Sequence, residues 1–409
     1  VTLLFLDFTG TIHLWFGWMA KIQFLPAVLA LNVGVVLFLI ILTLLFGRVY
    51  CSVICPLGIM QDIVSWISGK RKGKKLRFSY SPQLKWFRYG FLVLFLVALV
   101  AGIGSIAALL APYSSYGRIA SNLFAPVYAW GNNILAYFAE RADSYAFYEK
   151  EIWLKSLPTF IIAAITFIII VTLSWKNGRT YCNTVCPVGT VLGFLSKFSL
   201  FRPVINHEKC KSCGLCAKKC KASCIDSKNE KIDYSRCVTC FNCIENCKQG
   251  AISYTMRRDR ATKAKAEAEA TSSKATQSST SNSRRTFLTG AGVLIGTAAV
   301  KAQETKVDGG LAVILDKKVP KRATPIVPPG AESLKHFRQH CTGCQLCVSV
   351  CPNNVLRPST DLTSMMQPES SYERGYCRPE CTKCSEVCPA GAIKKIAKED
   401  KSSTQIGHA

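Results

Sequence analysis

Sixteen of the chain's 21 cysteines fall into four tight runs. Cys210, Cys213, Cys216 and Cys220 form the first, and Cys237, Cys240, Cys243 and Cys247 the second, both spaced C-x2-C-x2-C-x3-C. Three thiols at three-residue steps let one loop wrap an iron–sulfur cubane corner by corner, and thiolates are soft ligands suited to iron. In paired runs the fourth cysteine serves the other cluster. The expected sets are therefore Cys210, Cys213, Cys216 with Cys247, and Cys237, Cys240, Cys243 with Cys220. A second pair of runs, Cys341, Cys344, Cys347, Cys351 and Cys377, Cys381, Cys384, Cys388, predicts Cys341, Cys344, Cys347 with Cys388, and Cys377, Cys381, Cys384 with Cys351. One extra residue between Cys377 and Cys381 loosens the last loop. Zinc ribbons use two pairs of thiols, whereas each run here offers three plus one. Cysteines this close together cannot all be bridged as disulfides without strain. The expectation is four [4Fe–4S] clusters.

Four more cysteines lie in an internal repeat. Gly47-Arg48-Val49-Tyr50-Cys51-Ser52-Val53-Ile54-Cys55-Pro56-Leu57-Gly58 shares seven of twelve positions with Gly178-Arg179-Thr180-Tyr181-Cys182-Asn183-Thr184-Val185-Cys186-Pro187-Val188-Gly189. In a helix, a C-x3-C pair puts both thiols on one face. Side by side, the two copies would present four thiols, Cys51, Cys55, Cys182 and Cys186, as a redox or metal site. Pro at a helix start and Gly at a turn explain only part of the pattern. The last cysteine, Cys224, reads as a small buried apolar residue, with a spare ligand as the alternative.

The elements that position these groups are of two kinds. Apolar stretches run from Phe24 to Phe46, from Trp86 to about Ala111 and from Pro158 to Trp175, each approaching or reaching membrane length. Residues 1–8 read as the remnant of a further helix. Between Gly47 and Lys85 there are eight Lys/Arg and one acid, Asp62; between Pro112 and Leu157 four basic residues balance four acids. By the positive-inside rule the first loop is cytoplasmic and the second lies outside. The net charge of +26 follows this bias in large part, so no nucleic-acid partner is needed to explain it. His13, Trp15 and Trp18 fall near the outer face and Arg118 in the outer loop, and no catalytic residue is assigned. The fold class expected is an α-helical membrane domain (1–204) plus two small α+β ferredoxin-type 2[4Fe–4S] modules (205–255 and 334–396). Between them lie a disordered linker (256–285), an apolar segment (286–302) and a connector (303–333), and a disordered tail (397–409) follows.

The cysteine runs resemble bacterial two-cluster ferredoxins. The helices with two C-x3-C-P motifs followed by such a module resemble the NapH membrane subunits of periplasmic nitrate reductase systems, an architecture shared with the regulator NosR and the assembly factor CcoG. Ser283-Arg284-Arg285-Thr286-Phe287-Leu288 resembles a twin-arginine export signal, and the C-terminal module resembles a shortened NapG. These resemblances imply a multi-pass protein of the bacterial inner membrane with its C-terminal module in the periplasm. They imply an oxidoreductase component that takes electrons from the quinol pool and passes them to a periplasmic redox protein. A metal-reducing assembly factor of the CcoG kind and a relay without substrate chemistry are the alternatives.

Overall fold

The computed structural model describes residues 1–7, 10–70, 78–143, 147–257, 324–373 and 375–401, with the backbone of 307–308 and 312–313. One compact unit comprises 1–259 and 321–409, and a second comprises 260–320. In the second, Val307–Asp308 pairs antiparallel with Ala312–Val313. The twin-arginine-like segment and nearly all of the linker lie outside the described residues.

Of the three expected spans, one is a single helix. Leu157–Asn177 has Pro158 in its first turn and ends at Gly178, whose φ of +68° reverses the chain. Its 21 residues extend about 32 Å, and it is long and apolar enough to cross a membrane. The stretch from Phe24 is instead broken into Phe24–Leu29 and Val33–Phe46. Asn32 stops the run by accepting a hydrogen bond from Val35 N at 3.3 Å, a cap that an apolar count overlooks. The stretch from Trp86 is broken likewise into Lys85–Val100 and Gly104–Leu110, with Gly102 at φ +71° between them. Gly104 packs so closely on the Gln367 side chain that a Cβ would collide with it.

The stretch from Pro112 to Leu157 is largely helical and not a loop. Pro112–Ile119 is a helix with every residue buried. It leads through a π-helical turn, Ala120–Phe124, into the 17-residue helix Ala125–Arg141. Charge counting reads this stretch as polar because it carries Ser, Tyr and Arg. Small residues such as Gly117, which lies against the Cys344 carbonyl and the Phe5 ring, let it be buried instead. Arg118 is accordingly fully buried rather than in a loop.

Each ferredoxin-type module is closed by short antiparallel strands. In the first, Phe201–Ile205 pairs with Ile252–Met256, and Ile225–Asp226 with Lys231–Ile232. The outer pair thus begins four residues before the expected boundary. In the second, Leu356–Pro358 pairs with Pro368–Ser370. Its core gathers Phe337, Val348, Leu356, Ala392 and Ile393.

The two modules sit at opposite ends of the helices. The first touches helix C-terminal ends: Thr239 Oγ1 donates to Phe46 O (3.3 Å), and Arg179 N to Lys221 O (2.9 Å). The second touches the other ends: Lys155 Nζ donates to Val348 O (2.9 Å), and Gly391 lies against Ala30.

Candidate iron–sulfur and thiol centres

The loops that carry the cysteines have a common backbone form. In the first run, Ser212 and Gly214 on either side of Cys213 have φ of +47° and +72°. Thr239 and Phe241 flank Cys240 at +51° and +60°, and Gly343 and Gln345 flank Cys344 at +63° each. A left-handed conformation is unfavourable for Ser, Thr, Phe and Gln. Its recurrence at equivalent positions in three loops marks a functional constraint. Such alternation turns successive N–H groups inward and forms an anion-binding concavity, which suits a negatively charged thiolate–iron–sulfur cluster. The fourth run lacks this form: Thr382, after Cys381, has φ of −113°. The extra residue before Cys381 makes that loop the odd one.

The first module's thiols gather at two cavities. Cys210, Cys213, Cys216 and Cys247 line one cavity. Cys220, Cys237, Cys240 and Cys243 line another. In the second module, burial pushes the Cys344 thiol up to about 11, and the charge of a nearby Cys388 thiolate adds to it. Cys341 and Cys347 are raised by burial, with Cys344 and Cys388 adding in each case. Burial raises Cys384 to about 12, with Cys377, Cys351 and Cys381 contributing. The four-residue step from Cys377 to Cys381 therefore does not separate the fourth set. Among the described residues no three ligating side chains already converge in metal-holding geometry. The fit rests on donor chemistry, on cavities walled by four thiols and on the inward-turned loops.

Cys224 belongs to this neighbourhood. It is buried, lines the same cavity as Cys220 and Cys237, and holds its Sγ 3.5 Å from that of Cys220.

The two C-x3-C-P repeats pack reciprocally. Arg48 Nη2 donates to the Cys182 carbonyl at 3.3 Å, and Arg179 Nη1 to the Cys51 carbonyl. A Cβ on Gly58 would strike the Cys51 carbonyl and Arg179; on Gly189 it would strike the Cys182 carbonyl and Arg48. The repeated Gly and Arg are thus the two halves of one swapped contact. Arg179 is also held bidentately by Asp62, at 2.9 and 2.7 Å. Arg48 Nη1 reaches Asn183 Oδ1 at 2.9 Å and Ser235 O of the first module at 3.1 Å. Cys51, Cys55, Cys182 and Cys186 are all buried, and Cys186 interacts electrostatically with the other three. Arg48 Nη2 lies 3.7 Å from Cys51 Sγ, and Gln61 Nε2 3.4 Å from Cys182 Sγ. Two buried guanidiniums stand beside the four thiols, but burial outweighs them and pushes Cys55, Cys182 and Cys186 up.

A hydrogen-bonded chain runs from Tyr181, next to Cys182, to the second module. The Tyr181 hydroxyl donates to Leu110 O at 3.4 Å and meets Ser115. Ser115 Oγ accepts from Arg118 Nη2 at 3.1 Å. Asn122 Nδ2 donates to Arg118 O (2.9 Å) and to Gln345 Oε1 (2.8 Å), beside Cys344. Sequence reasoning missed Gln61, Asn122, Tyr113 and Tyr181 as neighbours of the thiols. The repeat Gly-Arg-x-Tyr-Cys was the one local signal for Tyr181. His13 bonds Asp7 at 3.2 Å, apart from the thiols, and Trp15 and Trp18 are exposed.

A 4Fe-4S binding domain profile matches residues 28–75 and 158–206, the two C-x3-C-P repeats with their helices. A 4Fe-4S dicluster domain profile matches 340–401. The chain carries ferredoxin-type 4Fe-4S domains. These domains relate it to an uncharacterized protein of Methanocaldococcus jannaschii, 24% identical over 53% of this chain and 68% of that one. The putative electron transport protein YccM of Escherichia coli is 25% identical over 48% of this chain and 47% of its own. The regulatory protein NosR of Stutzerimonas stutzeri, the expected relative, is 22% identical over 44% of this chain and 21% of its own. The chain thus spans about two thirds of the first relative and less than half of the other two. No solved structure matches it.

Proposed function

We propose that the protein is a membrane-embedded electron conductor that oxidises quinol and delivers electrons through four [4Fe–4S] clusters to a redox partner on the far side of the inner membrane, as a NapH-like half joined to a NapG-like half. The observation that carries this reading is the order of thiol sets along one unit. The first module's sets come first, then Cys51, Cys55, Cys182 and Cys186, then the second module's sets at the opposite helix ends. In this reading the first module lies on the cytoplasmic side and the second on the periplasmic side.

The membrane setting is supported by the outer faces of the helices. Phe38, Leu96, Val97, Ile161, Ile165, Ile168 and Ile169 are exposed, a larger apolar surface than a protein in water presents. Each cluster, when bound, carries one electron at a time, so a quinol's two electrons enter singly and its two protons pass to water. The chain's own part is to hold the ligand sets and to shield them. It also provides short bonded links between them, with Arg48 joining the first module to the four thiols and Tyr181, Ser115, Arg118 and Asn122 joining these to Gln345. The four C-x3-C-P thiols serve as a further redox or metal centre midway.

The test is anaerobic addition of a short-chain quinol to the purified protein in detergent, followed by EPR. Reduced-cluster signals are expected. Clusters that dithionite reduces but quinol does not would overturn the quinol reading and leave a relay.

A further inference from the structure

We infer that the Tyr113 hydroxyl, offered by the helical domain, donates a hydrogen bond to a sulfur of the iron–sulfur centre held by Cys341, Cys344, Cys347 and Cys388, and so helps to set how readily that centre takes an electron. The assignment rests on the four-cluster reading above and goes beyond it by naming a residue outside the module that tunes one of the clusters.

The first observation is an orphaned donor. Four tyrosines are buried among the described residues, Tyr50, Tyr113, Tyr116 and Tyr181. Three have bonded hydroxyls. Tyr50 donates to Gln23 Oε1 at 3.0 Å, Tyr181 donates to Leu110 O at 3.4 Å, and Tyr116 bonds Thr2. Tyr113 is 2% exposed, and its hydroxyl has no partner among the described residues. A buried phenol normally finds a partner, and leaving the group without one is costly.

The second observation is position. Tyr113 stands one turn before Gly117 on the helix Pro112–Ile119, so the two share a face. Gly117 lies against the Cys344 carbonyl. Phe5 packs on Gly117 and on Tyr113, with its ring centroid 5.9 Å from that of Tyr113. The ionisable groups that bear on the Tyr113 hydroxyl are the thiols of Cys344 and Cys388. These two are 44 positions apart in the chain, and both belong to one expected ligand set.

The third observation is the donors that this set already has. Cys344 Sγ accepts from the Thr342 hydroxyl and from Leu346 N, and Cys341 Sγ accepts from Gly343 N. All three donors come from the module's own loop. Hydrogen bonds to the sulfurs are one of the levers on a cluster's potential, because they stabilise the more negative, reduced form. Tyr113 adds a donor from outside the module, so packing against the helical domain makes this centre easier to reduce.

The test is an EPR-monitored redox titration of the full-length holoprotein in detergent. Tyr113→Phe removes one oxygen and keeps the ring against Phe5, so iron content should not change. One cluster should become about fivefold harder to reduce, a fall of about 40 mV at about 59 mV per tenfold for one electron. Thr342→Val removes a donor to Cys344 and should lower the midpoint of the same cluster. Replacing Tyr113 by p-aminophenylalanine, which keeps an N–H donor in place of the hydroxyl, should restore the wild-type value, whereas a merely structural role for the hydroxyl would leave no midpoint to restore. Unchanged midpoints in Tyr113→Phe overturn the assignment. A fall in a cluster that Thr342→Val leaves alone overturns it too, as does a fall that p-aminophenylalanine does not restore. If the wild type carries no clusters in the second module, the four-cluster reading itself fails and the Tyr113 assignment falls with it.

Discussion

Arg118 shows what a single buried charge does here. Its guanidinium donates to Ala108 O at 2.7 Å and to Ser115 Oγ at 3.1 Å, and its Nε has no partner among the described residues. A cation buried near Cys344 favours an added electron there. Arg118→Gln should therefore lower the midpoint potential of the Cys341, Cys344, Cys347, Cys388 centre in an EPR-monitored titration. A tenfold change in the equilibrium corresponds to about 59 mV for one electron. An unchanged potential would show that the charge is compensated. Asp62 offers a second case. It accepts from Nε and Nη2 of Arg179, so Asp62→Asn removes the carboxylate that balances a buried guanidinium. Removing one partner of such a bond costs about 3 kcal/mol when fully buried, and less here because Asp62 is part-exposed. The measurable outcome is a lower Tm in detergent with the four-thiol packing disturbed.

At the scale of elements, the reciprocal contact of the two repeats makes a symmetric prediction. Gly58→Ala and Gly189→Ala each drive a Cβ into the cysteine carbonyl of its own motif and against the arginine of the other. Each should destabilise by roughly 1–3 kcal/mol, the usual penalty of overpacking, and by similar amounts because the contacts are equivalent. A large effect from one and none from the other, in parallel thermal melts, would refute the equivalence of the two contacts. The first module has its own tie to this region through Asp233. Burial works against its carboxylate, but hydrogen bonds from Ser235 and the Arg236 guanidinium outweigh burial and hold it below the ordinary value. Its folded pKa is depressed, so the stability it confers is present above about pH 4 and is lost as pH falls through the folded value. Asp233→Asn should lower Tm at pH 7, and the difference should shrink as pH falls below about 4.

Seen whole, the molecule was legible in its sequence wherever the signal was local. The expected ligand sets rest on spacings of three and four residues, and the first module's thiols line two cavities. The C-x3-C-P repeat was legible for the same reason, and its copies meet. Arg118 and Asn122 were not legible. Their burial depends on a module more than 200 residues further along the chain, with Asn122 bonded to Gln345, and charge counting sees only a balanced loop. The broken spans were missed because Asn32 and Gly102 are single residues in apolar runs. The fourth cysteine run lacks the paired left-handed residues of the other three. Its cluster should accordingly be the first lost on exposure to air, read as a quarter of the iron released early and retained signals from the other three sets.

The central claim is that four crossed thiol sets hold four [4Fe–4S] clusters in one continuous unit. Iron and acid-labile sulfide quantitation on anaerobically purified full-length protein tests it most directly. The account predicts about sixteen of each per chain, four cubanes of four irons, rising towards about twenty if the C-x3-C-P thiols also hold a cubane. Zinc in place of iron, or iron near eight with no sulfide to match the second module, would contradict it.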